Sequence, residues 1–373
     1  MKLHCSLPGR LLILAALLVA CIAAGAQAPV PDQGFRAKSA LELRLEKVID
    51  DVYRRCFRSY YFGGRRLALR IPFGQSGERP GSPGFRQRIF LNGKGEPEAV
   101  WEQAEGLFRT EAFADYLNRL REGGLRVVSF DLERKSAAVY RDSGLFRAVA
   151  EGPYPGTRTR IHLLKTDGSV GVPEIYDYLY CVGSLGMDCS GFVTCVQRAV
   201  ARACGADLDL RPAESLGLWF YDPGAGYTEQ VDDRIVNLRP GDIVLFRGRT
   251  LTFRHSAVIQ SVDPAGGVIR YLQCTDWAPR EERGVHESFI YFDPDRPQSR
   301  LSDDACVWTQ ELSPAFPGEP GLRYWRNDGD RYRSYQAAGG SVVVRIRALK
   351  HCIEADEPGF FRNPSASNAD SGS

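Results

Sequence analysis

The residues best suited to chemistry in this chain are Asp188-Cys189-Ser190-Gly191, which stand at the start of a predicted helix. After them, apolar residues recur at helical spacing: Phe192, Val196, Ala199, Val200 and Ala203. Asp188 and Ser190 are residue types that favour a helix N-terminus. A cysteine held there feels the positive end of the helix dipole and its unpaired amides, which favour the thiolate. The pattern therefore predicts that Cys189 is a nucleophile near neutral pH.

A histidine follows in a setting that suits a general base. The turn at Pro240-Gly241-Asp242 leads into the apolar strand Ile243-Val244-Leu245-Phe246, and His255 begins a second predicted strand soon afterwards. In a cysteine–histidine pair the imidazole removes the proton of the thiol, which makes the sulfur an efficient nucleophile. We interpret Cys189 and His255 as such a pair.

A third polar residue is expected beside His255, to orient its ring. The strand that begins at His255 and the next apolar run are joined by a glycine-rich turn, which predicts a hairpin. If Val262 pairs with Val268, Gln273 lies on the same face as His255, one diagonal step away. A register shifted by one residue brings Asp276 toward His255 instead. On these grounds alone, Gln273 and Asp276 are both candidates.

Three blocks of the chain resemble the signature motifs of NlpC-type bacterial cell-wall peptidases and of their relatives, the CHAP-type amidases. The blocks are Asp188-Cys189-Ser190-Gly191-Phe192-Val193, Leu238-Arg239-Pro240-Gly241-Asp242-Ile243-Val244-Leu245-Phe246 and His255-Ser256-Ala257-Val258-Ile259. The similarity extends over residues 175–280. It implies an α+β fold with a papain-like cysteine peptidase core, in which the helix that carries the nucleophile packs on an antiparallel sheet.

The resemblance also implies roles for individual residues. Cys189 would attack an amide carbonyl, His255 would be its base, and a third residue would orient the imidazole. The relatives accept His, Asn, Gln or Glu at that third place, which favours Gln273 over Asp276. The implied substrate is peptidoglycan or a peptide. The residues that would help to hold the free amine of a peptidoglycan stem peptide are Tyr180, Asp188 and Ser190.

The amino terminus predicts export. Two basic residues precede an apolar run over residues 11–24, which is short for a membrane span. Residues 1–28 therefore resemble a signal peptide, with a small-residue cleavage site at Ala26-Gln27-Ala28. The alternative is a lipoprotein signal that ends before Cys21 and leaves a lipid anchor on it. In either case we expect a periplasmic or cell-envelope protein.

Charge and cysteine spacing argue against several other functions. The chain carries 48 Lys and Arg against 46 Asp and Glu, so no global basic field favours a nucleic-acid partner. The cysteines lack the spacing of a zinc site, and we expect no metal and no cofactor. Some of the 10 cysteines could pair in an oxidising compartment, but spacing alone does not define the pairing. Two rival functions remain: a lipid-directed thiol acyltransferase of the same superfamily and a non-catalytic cell-wall binding module.

The remaining segments predict helices and strands around the catalytic core. The assigned divisions after the signal are an extension over residues 29–165, the catalytic domain over 166–300, strands completing the sheet over 301–360, and a disordered tail over 361–373. Helical spacing predicts helices over residues 39–58 and 98–121. Residues 277–287 read as a polar, turn-prone loop that lines the cleft, in which His286 is solvated and has no role.

Overall fold

A computed structural model of the protein describes much of the chain outside its first 34 residues. The described residues are 35–74, 96–122, 129–131, 160–162, 169–181, 185–208, 210, 226–247, 253–275, 282–312, 324–327 and 341–356. The predicted signal peptide with Cys21, the predicted tail and Asp276 all lie outside them. Residues 37–373 form one compact unit, to which every element named below belongs.

The described part of the chain contains six α-helices and one short 3₁₀ helix. They are α1 (Ala40–Arg55), α2 (Pro97–Phe108), α3 (Glu111–Arg121), α4 (Val172–Cys181), α5 (Cys189–Ala203) and α6 (Arg347–Asp356), with a short 3₁₀ helix at Ile235–Asn237. Among the residues that the structure describes, no helix combines the length and the hydrophobicity needed to cross a membrane.

Within the described ranges, the strands form an eight-stranded antiparallel sheet and two separate antiparallel pairs. The strands are β1 (Phe57–Phe62), β2 (Arg65–Arg70), β3 (Ser129–Asp131), β4 (Arg160–His162), β5 (Thr228–Val231), β6 (Ile243–Arg247), β7 (Phe253–Asp263), β8 (Val268–Thr275), β9 (Gly284–Tyr291), β10 (Val307–Leu312), β11 (Tyr324–Asn327) and β12 (Ser341–Ile346). The large sheet has the order β11-β10-β9-β8-β7-β6-β12-β5, and the pairs are β1–β2 and β3–β4. The predicted α+β class is confirmed.

The predicted helices of the amino-terminal part are present with different ends. Ser39 accepts from the amide of Glu42, and the Glu42 side chain accepts from the amide of Ser39, so a capping box begins α1. The predicted extension of α1 to residue 58 is wrong, because Phe57 opens β1. The single helix predicted over residues 98–121 is also wrong: Thr110 caps a new helix there by accepting from the amide of Phe113 at 3.2 Å.

The β7–β8 hairpin contains a bulge that decides which residues face one another near His255. At the turn, Asp263 pairs with Val268, one step away from the predicted pairing of Val262 with Val268, which is therefore wrong. The register shifts between Ile259 and Ser261, and from there Ala257 pairs with Gln273. One extra residue in β7 thus restores, at the other end of the hairpin, the register that the sequence predicts.

Both faces of the sheet are buried. The face toward α1 and α5 contributes Leu245, Val258, Leu272, Cys274 and Val285 to the main hydrophobic cluster. The opposite face carries Phe246, Tyr271 and Trp308, and the Trp308 ring lies edge-on to each of the other two, with centroids 5.7 and 5.6 Å away. The main cluster also contains residues of α2, α3 and α4, so a single core spans the division assigned at residue 165.

The Pro-Gly-Asp block has a structural role. Asp242 is fully buried, and its two carboxylate oxygens accept from Nε and Nη2 of Arg345 on β12 at 2.6 and 2.8 Å. Gly241 has φ +96°, and a Cβ there would stand 2.8 Å from Leu349 on α6 and 3.4 Å from Val200 on α5. Glycine is needed because the loop packs directly against two helices.

The chain that follows β2 runs between the segment before Cys189 and the start of β9. The amide of Met187 donates to the carbonyl of Pro72 at 2.9 Å, and the amide of Gly74 donates to the carbonyl of Met187 at 3.0 Å. On the other side, the amide of Val285 donates to the carbonyl of Ile71 at 3.1 Å. The amino-terminal extension is therefore hydrogen-bonded to the segments that precede α5 and begin β9.

Candidate active site

Cys189 is the first residue of α5, as the sequence predicts. Asp188 is the N-cap, in extended conformation, and its Oδ1 accepts from the amide of Gly191 at 2.6 Å and from the Ser190 hydroxyl at 2.8 Å. The bond from Gly191 satisfies an amide that a helix start leaves without an intrahelical partner. The Cys189 thiol is half-buried and free of any disulfide.

The sulfur of Cys189 lies against strand β7. Its closest donors are the hydroxyl and the amide of Ser256 and the amide of Ser190, all of which stabilise a thiolate. Burial and the negative charge of Asp188 act in the opposite direction and outweigh them, which raises the pKa of Cys189 to about 12. Burial of the sulfur and the carboxylate of Asp188 therefore oppose the thiolate that the sequence predicts near neutral pH.

His255 and Gln273 are in direct contact. His255 Nε2 lies 2.6 Å from Gln273 Oε1, and both side chains are almost completely buried. An amide oxygen only accepts, so Nε2 carries the proton of this hydrogen bond and Nδ1 faces elsewhere. The pairing of Ala257 with Gln273 places this glutamine on the face of the sheet that carries His255. Asp276, the alternative, lies outside the described residues.

Cys189 and His255 are related through the peptide unit that joins His255 to Ser256. Ser256 faces α5, and His255 faces the other side of the sheet, where its ring lies 5.4 Å from that of Phe246. The sulfur of Cys189 approaches the amide nitrogen of Ser256, which is two bonds from the Cα of His255.

His286 also lies beside the candidate site, whereas the sequence predicts a solvated residue with no role. It is fully buried on β9, directly opposite Gln273 in the β8–β9 ladder. Burial, with a smaller contribution from the positive charge of Arg70, lowers the pKa of His286 to about 3. The prediction of a solvated loop histidine is wrong, because residues 284–287 continue a paired strand. The signal was the run of strand-forming residues at Phe289-Ile290-Tyr291, which extends backward to include His286.

The three predicted substrate-binding residues occupy different settings. Tyr180 lies in α4, and its side chain is outside the described part of the structure. Asp188 and Ser190 are both buried, and each contacts the other within the helix cap. These hydrogen bonds help to form the helix start that carries Cys189.

The described residues include a thiol at the start of α5 and, on the sheet beside it, an imidazole that is hydrogen-bonded to an amide. Acyl transfer through sulfur uses these three kinds of group. Within those same residues, no group of three or more His, Cys, Asp or Glu side chains could hold a metal ion. Comparisons of the chain with models of known families, with curated proteins and with solved structures gave no match.

Proposed function

We propose that this protein is an exported cysteine hydrolase with a papain-like catalytic core, which cleaves an amide bond of peptidoglycan through Cys189, His255 and Gln273. The observation that carries the proposal is the 2.6 Å contact between His255 Nε2 and Gln273 Oε1, on the strand that the Cys189 sulfur touches. A buried glutamine that holds one imidazole nitrogen leaves the other to act as a base.

The first half of the reaction forms a thioester. Nδ1 of His255 accepts the thiol proton as the sulfur of Cys189 attacks the amide carbonyl carbon, and the carbonyl π electrons move to oxygen. The imidazolium then gives its proton to the leaving amine as the C–N bond breaks. Burial and the charge of Asp188 raise the pKa of Cys189, which favours removal of the thiol proton during the attack over its removal beforehand.

The second half returns the enzyme to its starting state. His255 removes a proton from water, whose oxygen attacks the thioester carbonyl and releases a carboxylic acid and the thiol. The amide of Cys189 belongs to the helix start, where donors lack intrahelical acceptors, and it is suited to bind the negatively charged oxygen that forms in each half.

Peptidoglycan is the substrate that the motif resemblance and the predicted export signal jointly favour. Its stem peptides offer amide bonds flanked by free amines and carboxylates. The wall-peptidase resemblance assigns Tyr180, Asp188 and Ser190 to the recognition of such an amine.

The test is digestion of purified peptidoglycan, followed by mass spectrometry of the released fragments. We expect new amine and carboxyl ends with the wild type and a loss of roughly three orders of magnitude with Cys189→Ala. Cys352→Ala is the matched control, because Cys352 is another half-buried thiol that the mechanism does not use. Full activity in Cys189→Ala would contradict the proposal.

A second experiment tests the distance between the base and the nucleophile. The short reagent 1,3-dibromoacetone alkylates a thiol at one end and an imidazole at the other when the two are close. We expect a peptide in which it bridges Cys189 and His255. Attachment at Cys189 without any bridge would remove His255 from the role of base. Release of a lysophospholipid from phospholipid, in place of peptidoglycan cleavage, would favour the acyltransferase, and binding to the wall without cleavage would favour the binding module.

A further inference from the structure

The buried imidazole of His286 has a defined proton arrangement that the mechanism above does not use. Its Nδ1 lies 3.0 Å from the carbonyl oxygen of Gly284, and its Nε2 lies 3.4 Å from Nε2 of Gln273. A carbonyl oxygen only accepts, so Nδ1 carries a proton and donates it to Gly284. Because burial keeps His286 neutral, Nε2 has no proton and presents a lone pair to Gln273.

This lone pair selects one of the two orientations of the Gln273 amide. With the amide nitrogen toward His286, that nitrogen donates to the lone pair, and Oε1 faces His255 at 2.6 Å. The flipped amide would set Oε1 against the lone pair of His286, which is repulsive, and would turn its nitrogen toward His255. The Ser288 hydroxyl, 2.8 Å from the amide nitrogen, can donate or accept, and it fits either orientation.

We propose that His286 is a positioning residue that acts on His255 through Gln273. The carbonyl of Gly284 sets the tautomer of His286, His286 sets the orientation of the Gln273 amide, and the amide oxygen sets the proton of His255 on Nε2. Nδ1 of His255 then keeps the lone pair that accepts the thiol proton of Cys189. The catalytic meaning of this arrangement rests on the proposed function, whereas the proton positions do not.

The experiment is ¹⁵N NMR of the full-length protein with labelled histidine at pH 7.5, which reports which ring nitrogen of each histidine is protonated. In the wild type we expect the proton of His255 on Nε2 and that of His286 on Nδ1. In His286→Phe, which leaves the two amide orientations nearly equal, we expect a large fraction of His255 to carry its proton on Nδ1. Ser288→Ala is the matched control and should leave the tautomer of His255 unchanged.

The outcomes separate this inference from the proposed function. The inference is overturned if wild-type His255 carries its proton on Nδ1, or if its tautomer is unchanged in His286→Phe. The wild-type measurement remains decisive even if the variant fails to fold. If the tautomers behave as expected but no amide is cleaved by the wild type, the proposed function fails and the positioning role survives. If both hold, kcat of His286→Phe should fall about twofold with KM retained, because about half of the enzyme carries its base in the active form.

Discussion

The backbone amide and the hydroxyl of Ser256 lie near the sulfur of Cys189 and act to lower its pKa. The hydroxyl is fully buried, and within the described residues it makes no hydrogen bond to any nitrogen or oxygen. Both donors favour the thiolate, whereas burial and Asp188 disfavour it more strongly. Ser256, which follows the proposed base His255, thus offsets part of the free-energy cost of ionising Cys189.

We expect alkylation of Cys189 by iodoacetamide to be slow at pH 7 and to accelerate about tenfold per pH unit toward its pKa of about 12. Ser256→Ala removes one donor and should slow this alkylation by about tenfold at a given pH. The matched control is Ser261→Ala, farther along the same strand, which should alkylate like the wild type. Peptide mapping by mass spectrometry gives the rate for Cys189 alone. Rapid alkylation of wild-type Cys189 at pH 6 would show that the thiol is already ionised.

Gln273→Ala should lower kcat by one to three orders of magnitude, about 1.4 kcal/mol for each tenfold, because His255 loses the acceptor that sets its tautomer. Gln260→Ala is the matched control on the same hairpin. Gln260 is also buried, but its amide nitrogen donates to the carbonyl of Glu46 at 3.0 Å, away from the imidazole. We expect that variant to lose stability and to keep the kcat of its folded fraction. Equal losses of kcat in both variants would assign Gln273 to the fold alone.

The stability of the protein should fall in acid because of His286. Between pH 6.5 and about pH 3 the unfolded chain binds a proton on this histidine that the native protein excludes. The unfolding free energy therefore decreases as pH falls through this window, with a slope of up to about 1.4 kcal/mol per pH unit from this one group. Urea denaturation from pH 4 to pH 8 should show a smaller slope for His286→Phe than for the wild type. His351→Phe, which changes an exposed histidine, should keep the wild-type slope.

The parts of the site that the sequence predicted are those determined by neighbours in the chain. The helix at Cys189 follows from Asp188 and from the apolar spacing behind it, and both are local signals. The bulge in β7 is not local. Gln260 sits where the register changes, and its side chain binds a carbonyl of α1, 214 residues earlier in the chain. Without that extra residue, the pairing seen at the turn would continue and bring position 276 opposite His255.

The exposure that the sequence predicts for His286 is wrong for a related reason. Its neighbours Arg283 and Glu287 are charged, which favours a solvated loop. In the folded chain Glu287 is bound by Arg270 at 2.6 Å across the β8–β9 ladder, so a charged residue is accommodated in a buried strand. A charged residue in the sequence therefore predicts exposure only where no oppositely charged residue from another strand pairs with it.

Gly284→Ala should destabilise the fold far more than Gly64→Ala. Gly284 has φ +141°, and a Cβ there would stand 2.1 Å from the carbonyl oxygen of Ile71, which the amide of Val285 also binds. We expect a loss of several kcal/mol in chemical denaturation, since backbone on both sides must move. Gly64→Ala is the control: its φ of +81° is also unfavourable for alanine, but no atom lies within 4 Å of its Cβ. That variant should lose about 1 kcal/mol, and equal losses would mean that backbone conformation alone explains Gly284.

Cys204 and Cys352 should form a disulfide on mild oxidation. Cys204 caps the end of α5, Cys352 lies on α6, and their side chains are in hydrogen-bond contact; burial and this contact raise the pKa of Cys204 to about 12. Both thiols are half-buried, whereas Cys56 and Cys195 are fully buried. Oxidised glutathione at pH 8.5 would accept two electrons and two protons from the pair, giving two reduced glutathione molecules and one internal bridge.

Mass spectrometry of the digested, unreduced protein should then show a peptide that joins Cys204 to Cys352 and disappears with dithiothreitol. Cys352→Ser should abolish it without exposing the buried thiols. The bridge should raise the midpoint of thermal unfolding, because it closes a long loop in the unfolded chain. It should leave the alkylation of Cys189 unchanged, since Cys204 is at the opposite end of α5. Alkylation of both Cys204 and Cys352 after oxidation would mean that the two sulfurs do not reach bonding geometry in solution.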